Sequence, residues 1–202
     1  MSSTDAEIRK LARVLGVSAD RFAYLRDVPQ ADVRRLRDQV TTTLFDAHLN
    51  VLERMAGASR LLPNPLLAKL AERVFGPLLA ARIAGLVDIG RGVDIAKRLP
   101  PGFLADVAAE LDPRRAAGII AGLPEPVVVR VARELARRED WITIARFVDT
   151  LPETTIVASL DVIPDHGLPL VAEMLDEVAR VAYIVDLLPD HRAGTLPDDL
   201  AG

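Results

Sequence analysis

The side chains able to do acid/base or metal chemistry are few. Two Pro-Asp-His triplets set Asp165 beside His166 and Asp190 beside His191. If the two met in space, they would offer imidazole and carboxylate as an acid/base pair or as ligands of a metal ion. The other reading makes them polar residues in helix-start turns. His48, near Val51, reads as a side-facing or interfacial residue of a helix. The chain has no cysteine, which removes thiol nucleophiles, thiolate metal sites and disulfides together. The sequences G-x-x-x-x-G-K-[ST], G-x-S-x-G and H-E-x-x-H are all absent, so no familiar catalytic signature is present. The glycines of GLVDIGRG, residues 85–92, follow no strand and read as a junction. No catalytic residue and no cofactor is expected.

Two other constellations carry binding chemistry. The segment ARREDW, residues 136–141, concentrates Arg137, Arg138, Glu139, Asp140 and Trp141. Arginine and tryptophan are the side chains that most often anchor protein interfaces. Arg137, Arg138 and Trp141 are therefore the expected partner-binding residues, against a solvated charge run with Trp141 folded back on its helix. The second constellation is the carboxylates Asp112, Glu125, Glu153, Asp165 and Asp176, each at or beside a proline or a helix start. Where two helix ends converged they would make an oxygen-only site suited to Mg²⁺. Capping of free N–H groups explains the same residues without a metal.

What positions these residues is a rhythm. Units begin at Val87, Leu99, Leu111, Leu123, Leu151, Ile163 and Leu175, and one more begins at Glu139, displaced by the inserted residues Leu135 to Arg138. In each unit the sixth, ninth and tenth residues and the first of the next unit fall at i, i+3, i+4 and i+7, one face of an α-helix. Leu104, Val107, Ala108 and Leu111 fill that stripe, as do Ala116, Ile119, Ile120 and Leu123. Val128, Val131, Ala132 and Leu135 do so next, and Ile144, Phe147, Val148 and Leu151 restore it after the insertion. Ser159 interrupts a later stripe, and a final one shifts to Val181, Ile184, Val185 and Leu188. Prolines at the unit starts open helices and forbid helix in the residue before them. Helices of about two turns do not persist alone in water, so stacked neighbours must stabilise them, as in a solenoid or superhelix.

The first 86 residues read differently. The spacing predicts a helix from Asp5 to Leu15 stopped by Gly16, and a second from about Ser18 to Asp27. A long helix is expected from Asp32 to about Met55, SRLLPNP reads as a loop, and two further helices, from about Asn64 to Phe75 and from Pro77 to about Leu86, part at Gly76-Pro77. No strand pattern appears. The expected fold class is all-α: an N-terminal helical segment, residues 1–86, followed by a superhelix of short repeats of about twelve residues, 87–202. The apolar stripe of the long helix exceeds what one short neighbour covers. Either two or three short helices cover it jointly, or it makes a homo-oligomer.

The formal charge of −4 and the single tryptophan are poor equipment for nucleic acid, which asks for a basic face and stacking aromatics. Residues 8–28 do have the outline of a helix-turn-helix, and a DNA-binding regulator is the alternative they leave open. The apolar run from Leu61 to Ile89 is broken by Lys69, Glu72, Arg73 and Arg82, so no transmembrane segment is expected. The start MSSTDAEIRKL carries no apolar leader, and a cytoplasmic location is the expectation.

The units LPPGFLADVAAE and LDPRRAAGIIAG resemble the short-helix repeats in the cytoplasmic N-terminal domain of MgtE-type magnesium transporters, over about residues 87–188. A weaker likeness is to the helical repeats of the flagellar motor switch protein FliG. The resemblance implies a right-handed superhelix of short helices and, as in the transporters, a magnesium-responsive regulatory role. It carries over no binding residue. The function expected from the whole is non-catalytic: a protein-interaction or regulatory module that uses the superhelix surface to hold a protein partner.

Overall fold

A computed structural model describes residues 3–46, 49–175, 178–189 and 192. Among them there is no strand, and thirteen α-helices with three short 3₁₀ or π segments make the chain all-α. No helix among the described residues is long and apolar enough to cross a membrane. The chain divides into two compact units, Met1–Leu49 and Asn50–Gly202.

In the first unit, α1 (Ser3–Val14) packs on α2 (Gln30–Asp46) through Ile8, Leu11 and Val33. Gly16, at φ +65°, ends α1 as expected. The carboxylate of Glu7 is fully buried; Arg37 donates to it at 2.8 Å and Lys10 at 3.0 Å, and Arg34 lies 3.5 Å away. One expectation changes here. The second helix of the supposed helix-turn-helix is a 3₁₀ stretch, Ala19–Leu25, irregular at Phe22. A backbone of that kind cannot present a straight recognition helix to a groove. Of the long helix expected from Asp32 to Met55, the described residues are helical on both sides of residues 47–48, in α2 and in α3 (Leu49–Ser59); residues 47–48, His48 included, lie outside the described residues.

The second unit holds α3 and the helices that follow. These are α4 (Asn64–Leu70), α5 (Gly76–Ala84), α6 (Ile89–Ala96), α7 (Pro101–Glu110), α8 (Ala117–Ala121), α9 (Glu125–Arg137), α10 (Trp141–Phe147), α11 (Glu153–Leu160), α12 (Gly167–Glu173) and α13 (Val178–Leu187). Four begin alike: Pro63, Pro100, Pro124 and Pro152 occupy the N-cap position with extended backbone, ψ between 135° and 147°, and no side-chain cap. Leu62-Pro63 is thus a unit start of the same kind as Leu99-Pro100. The expected loop precedes α4, which begins at Asn64, and residues 86 and 87 both lie in this unit, where α5 packs on α7. The break at Gly76-Pro77 stands as expected, with Gly76 at φ +73°.

Helices two apart along the chain pack side by side. One row runs α4 on α6 and α6 on α8, with α10 on α12; the other runs α5 on α7, α7 on α9 and α9 on α11. Between α6 and α8 the approach is close enough that Gly92 faces Ile119 while Gly118 faces Ile89, and neither glycine has room for a Cβ. A second device links helices three apart. The last carbonyls of a helix lack intrahelical partners, and here arginines from a later helix donate to them. Arg91 of α6 reaches Ser59 at 2.7 Å, and also Arg60 and Leu62 after α3. Arg146 of α10 reaches Ala109 and Leu111 at the end of α7. Arg180 of α13 donates to Val148 after α10 at 3.0 Å, and Arg192 to Leu160 and Ile163 after α11. A guanidinium suits this task because its fixed fork spans two or three carbonyls and matches the negative end of the helix dipole.

Candidate functional site

The expected partner-binding segment sits on ordered structure. The inserted residues lengthen α9, which at 13 residues exceeds its neighbours, rather than forming a loop. Four residues are close to one helical turn, so an insertion of that length keeps the inward face in register. After Arg138 the chain turns through Glu139 at φ +56°. The Glu139 amide then donates to the Ala136 carbonyl and the Asp140 amide to the Leu135 carbonyl, both at 3.0 Å. This is the six-to-one and five-to-two pairing that closes helices, usually with glycine at the left-handed position. Asp140 caps α10, accepting from the Thr143 amide at 3.2 Å and its hydroxyl at 2.8 Å.

Arg137 is exposed and forks onto Glu134 at 2.8 and 3.0 Å. Arg138 also binds Glu134 and crosses to Asp106 and the Gly102 carbonyl, tying α9 to α7. The hydrogen bonds from Arg137 and then Arg138 hold the Glu134 carboxyl down at about 2. Trp141 lies against Gly167, and its ring meets His166 edge to face at 6.0 Å between centroids, joining α10 to α12. The segment therefore presents Arg137 outward and turns Arg138 and Trp141 to neighbouring helices.

The other candidates stand apart. His166 is exposed and engaged with Trp141, while His191 and Asp190 lie outside the described residues. Of the unit-start carboxylates, Asp112 takes Arg114 and Arg115, Glu153 accepts from the Tyr183 hydroxyl at 2.9 Å, and Asp165 accepts from Arg192 at 2.8 Å. Asp176 lies outside the described residues. Among the described residues, no three histidine, aspartate or glutamate side chains gather as a metal site would require.

One feature with room for a ligand was not legible in the sequence. An apolar cavity of about 370 Å³ runs through the interior of the second unit, with walls drawn from α3 through α13. Every residue of the four well-formed stripes lines it, from Leu104 on α7 to Leu151 after α10. The fifth stripe, Ile156, Ser159, Leu160 and Ile163, lines it as well. No charged residue is among the described walls, and the polar side chains there are Ser59 and Ser159. Ser59 donates to the Ala56 carbonyl at 2.6 Å. Ser159 is 8 % exposed, and its hydroxyl has no hydrogen-bond partner among the described residues. The repeat pattern located the wall residues, and Ser159 had stood out as the break in an apolar stripe. The void was not readable, because it is the space that many separate helices fail to fill.

No family model, no curated protein and no solved structure matches the chain.

Proposed function

We propose that the second unit is a non-catalytic binding module that encloses a long apolar molecule within a superhelix of short helices. The observation that carries this reading is the cavity: about 370 Å³ with no charged wall residue among those described. Pockets that hold small molecules start at about 300 Å³. At about 30 Å³ for a group the size of a water, it admits on the order of a dozen methylene-sized groups. Filling it with a hydrocarbon chain recovers about 0.8 kcal/mol per methylene.

Three features support the superhelix. Helices two apart stack in rows, arginines clamp helix ends three helices back, and the stripes of successive units face one interior. That is the architecture implied by the resemblance to the MgtE-type repeat. Its magnesium-responsive role finds less support, since three of those carboxylates, Asp112, Glu153 and Asp165, are held by arginine or tyrosine. The test is thermal unfolding of the full chain with rising 1-decanol below its solubility limit. One-to-one saturable binding with a melting temperature that climbs by mass action is expected; a melting temperature independent of the alcohol contradicts the reading.

A second reading keeps the module as a holder of a protein partner. It is favoured by large apolar side chains left exposed from α3 to α6: Val51, Leu61, Val74, Leu78 and Ile89, with Leu61 at 87 %. Large apolar side chains that meet in one exposed patch mark an association surface. The partner is a second copy of the chain, docked through these side chains, of which Val51 alone belongs to the apolar stripe expected from Asp32 to Met55. Sedimentation of the wild type against a Leu61→Glu, Val74→Glu variant decides it: a dimer lost in the variant supports the reading, and a monomer in both removes it.

A further inference from the structure

What the cavity wall withholds narrows its ligand. Sites for small molecules ordinarily set a few polar groups among apolar walls, and those groups fix the ligand's orientation. Here the wall is almost entirely carbon. Charged residues make up 27 % of the chain, yet none is among the described wall residues, and of these only Ala58 is exposed. The two wall serines offer a ligand no donor. The Ser59 hydroxyl gives its hydrogen to the Ala56 carbonyl, and the Ser159 hydroxyl oxygen is shielded from the space, with almost no accessible surface.

Resting on the reading of the cavity as a ligand site, we infer that its ligand is a hydrocarbon with no polar group, enclosed whole, of on the order of a dozen carbons at about 30 Å³ each. The wall excludes the other classes of largely apolar molecule. An ester, ketone or alcohol drawn inside exchanges its hydrogen bonds to water for contact with carbon, which restores none of them. A carboxylate fares worse, since no lysine, arginine or histidine is among the described wall residues to pair with it. An amphiphile held by its tail would carry its head to a rim where polar side chains meet water, and the described wall supplies no such rim. Length and the lack of oxygen are then the features for which the site selects.

The experiment compares decane, 1-decanol and, at about pH 8, decanoate on the full chain. Bound hydrocarbon and alcohol are quantified by headspace gas chromatography, and decanoate by calorimetry. Decane should saturate at one molecule per chain and bind about a hundredfold or more tightly than 1-decanol, because a hydroxyl moved from water into hydrocarbon loses far more than one that finds a partner. A smaller ratio shows that the hydroxyl is satisfied, which overturns the oxygen-free class and leaves the cavity reading standing. Decanoate should show no saturable binding; one-to-one binding would mean that a chain end reaches water, and it overturns the class in the same way. Ala132→Leu sets three more carbons in the cavity and should weaken decane about fourfold or more, the effect of at least one displaced methylene. Unchanged decane binding in Ala132→Leu, or no saturable binding of either decane or 1-decanol to the wild type, overturns both this inference and the function on which it rests.

Discussion

Replacing Ala132 by leucine should stabilise the protein, although Ala132 is buried. Ala132 sits on the inner face of α9, 8 % exposed, between Val128 one turn before it and Leu135 one turn after. All three line the cavity. The substitution adds three carbons. Sunk into open space they contribute about 2.4 kcal/mol at about 0.8 kcal/mol per methylene. Ordering the leucine side chain costs about 0.5–1 kcal/mol, which leaves a net gain of about 1.5 kcal/mol. In a filled core the same change has the opposite sign, because overpacking costs about 1–3 kcal/mol. Ala105 supplies that comparison: it is fully buried on α7 and does not line the cavity. Urea unfolding followed by circular dichroism should place Ala132→Leu above the wild type and Ala105→Leu below it. A loss of stability in Ala132→Leu like that in Ala105→Leu would show that the interior is packed solid.

Four further outcomes are expected. Glu139→Gly, relieving a left-handed residue at the close of α9, should raise stability by about 1 kcal/mol, measured as a higher urea midpoint. Arg146→Ala leaves the carbonyls of Ala109 and Leu111 without their charged donor and should cost about 1.5–3 kcal/mol in the same assay. The Glu134 carboxyl is held at about 2 against an ordinary 4.5. Its contribution is present above about pH 4.5 and lost as pH falls towards 2, so acid titration of Glu134→Gln should show a flatter decline across that window than the wild type. Ile120→Asp puts a charge at a site 4 % exposed and should cost about 3–5 kcal/mol, while Lys97→Asp on the exposed side of its helix should leave the unfolding midpoint near that of the wild type.

The parts of the fold that were legible in the sequence are those written locally. The stripe Ala116, Ile119, Ile120 and Leu123 is a matter of helical period, and all four residues turn to the interior. The chain break at Gly76-Pro77 follows from what those two residues permit. The helix start near Asn64, after the SRLLPNP loop, is legible in the same way. The insertion before Glu139 is legible as a break in the rhythm, but not its outcome: a length near one helical turn lets α9 absorb it. The arginine clamps were not legible: Arg146 and Leu111 lie 35 residues apart, and nothing in the local pattern says which helix end an arginine will meet. The cavity was least legible of all. Valine and alanine at Val131 and Ala132 announce an inward face, whereas the space left between such faces depends on how far apart the helix rows stand.

The affinity of the full chain for a series of straight-chain alcohols, from 1-hexanol to 1-dodecanol, measured by calorimetry, tests the enclosed apolar site most directly. Burial of one more methylene at about 0.8 kcal/mol predicts about a fourfold gain in affinity per carbon, at one site per chain, until the cavity is full near a dozen carbons. Affinity that does not depend on chain length, or binding that fails to saturate at one molecule per chain, would contradict the account.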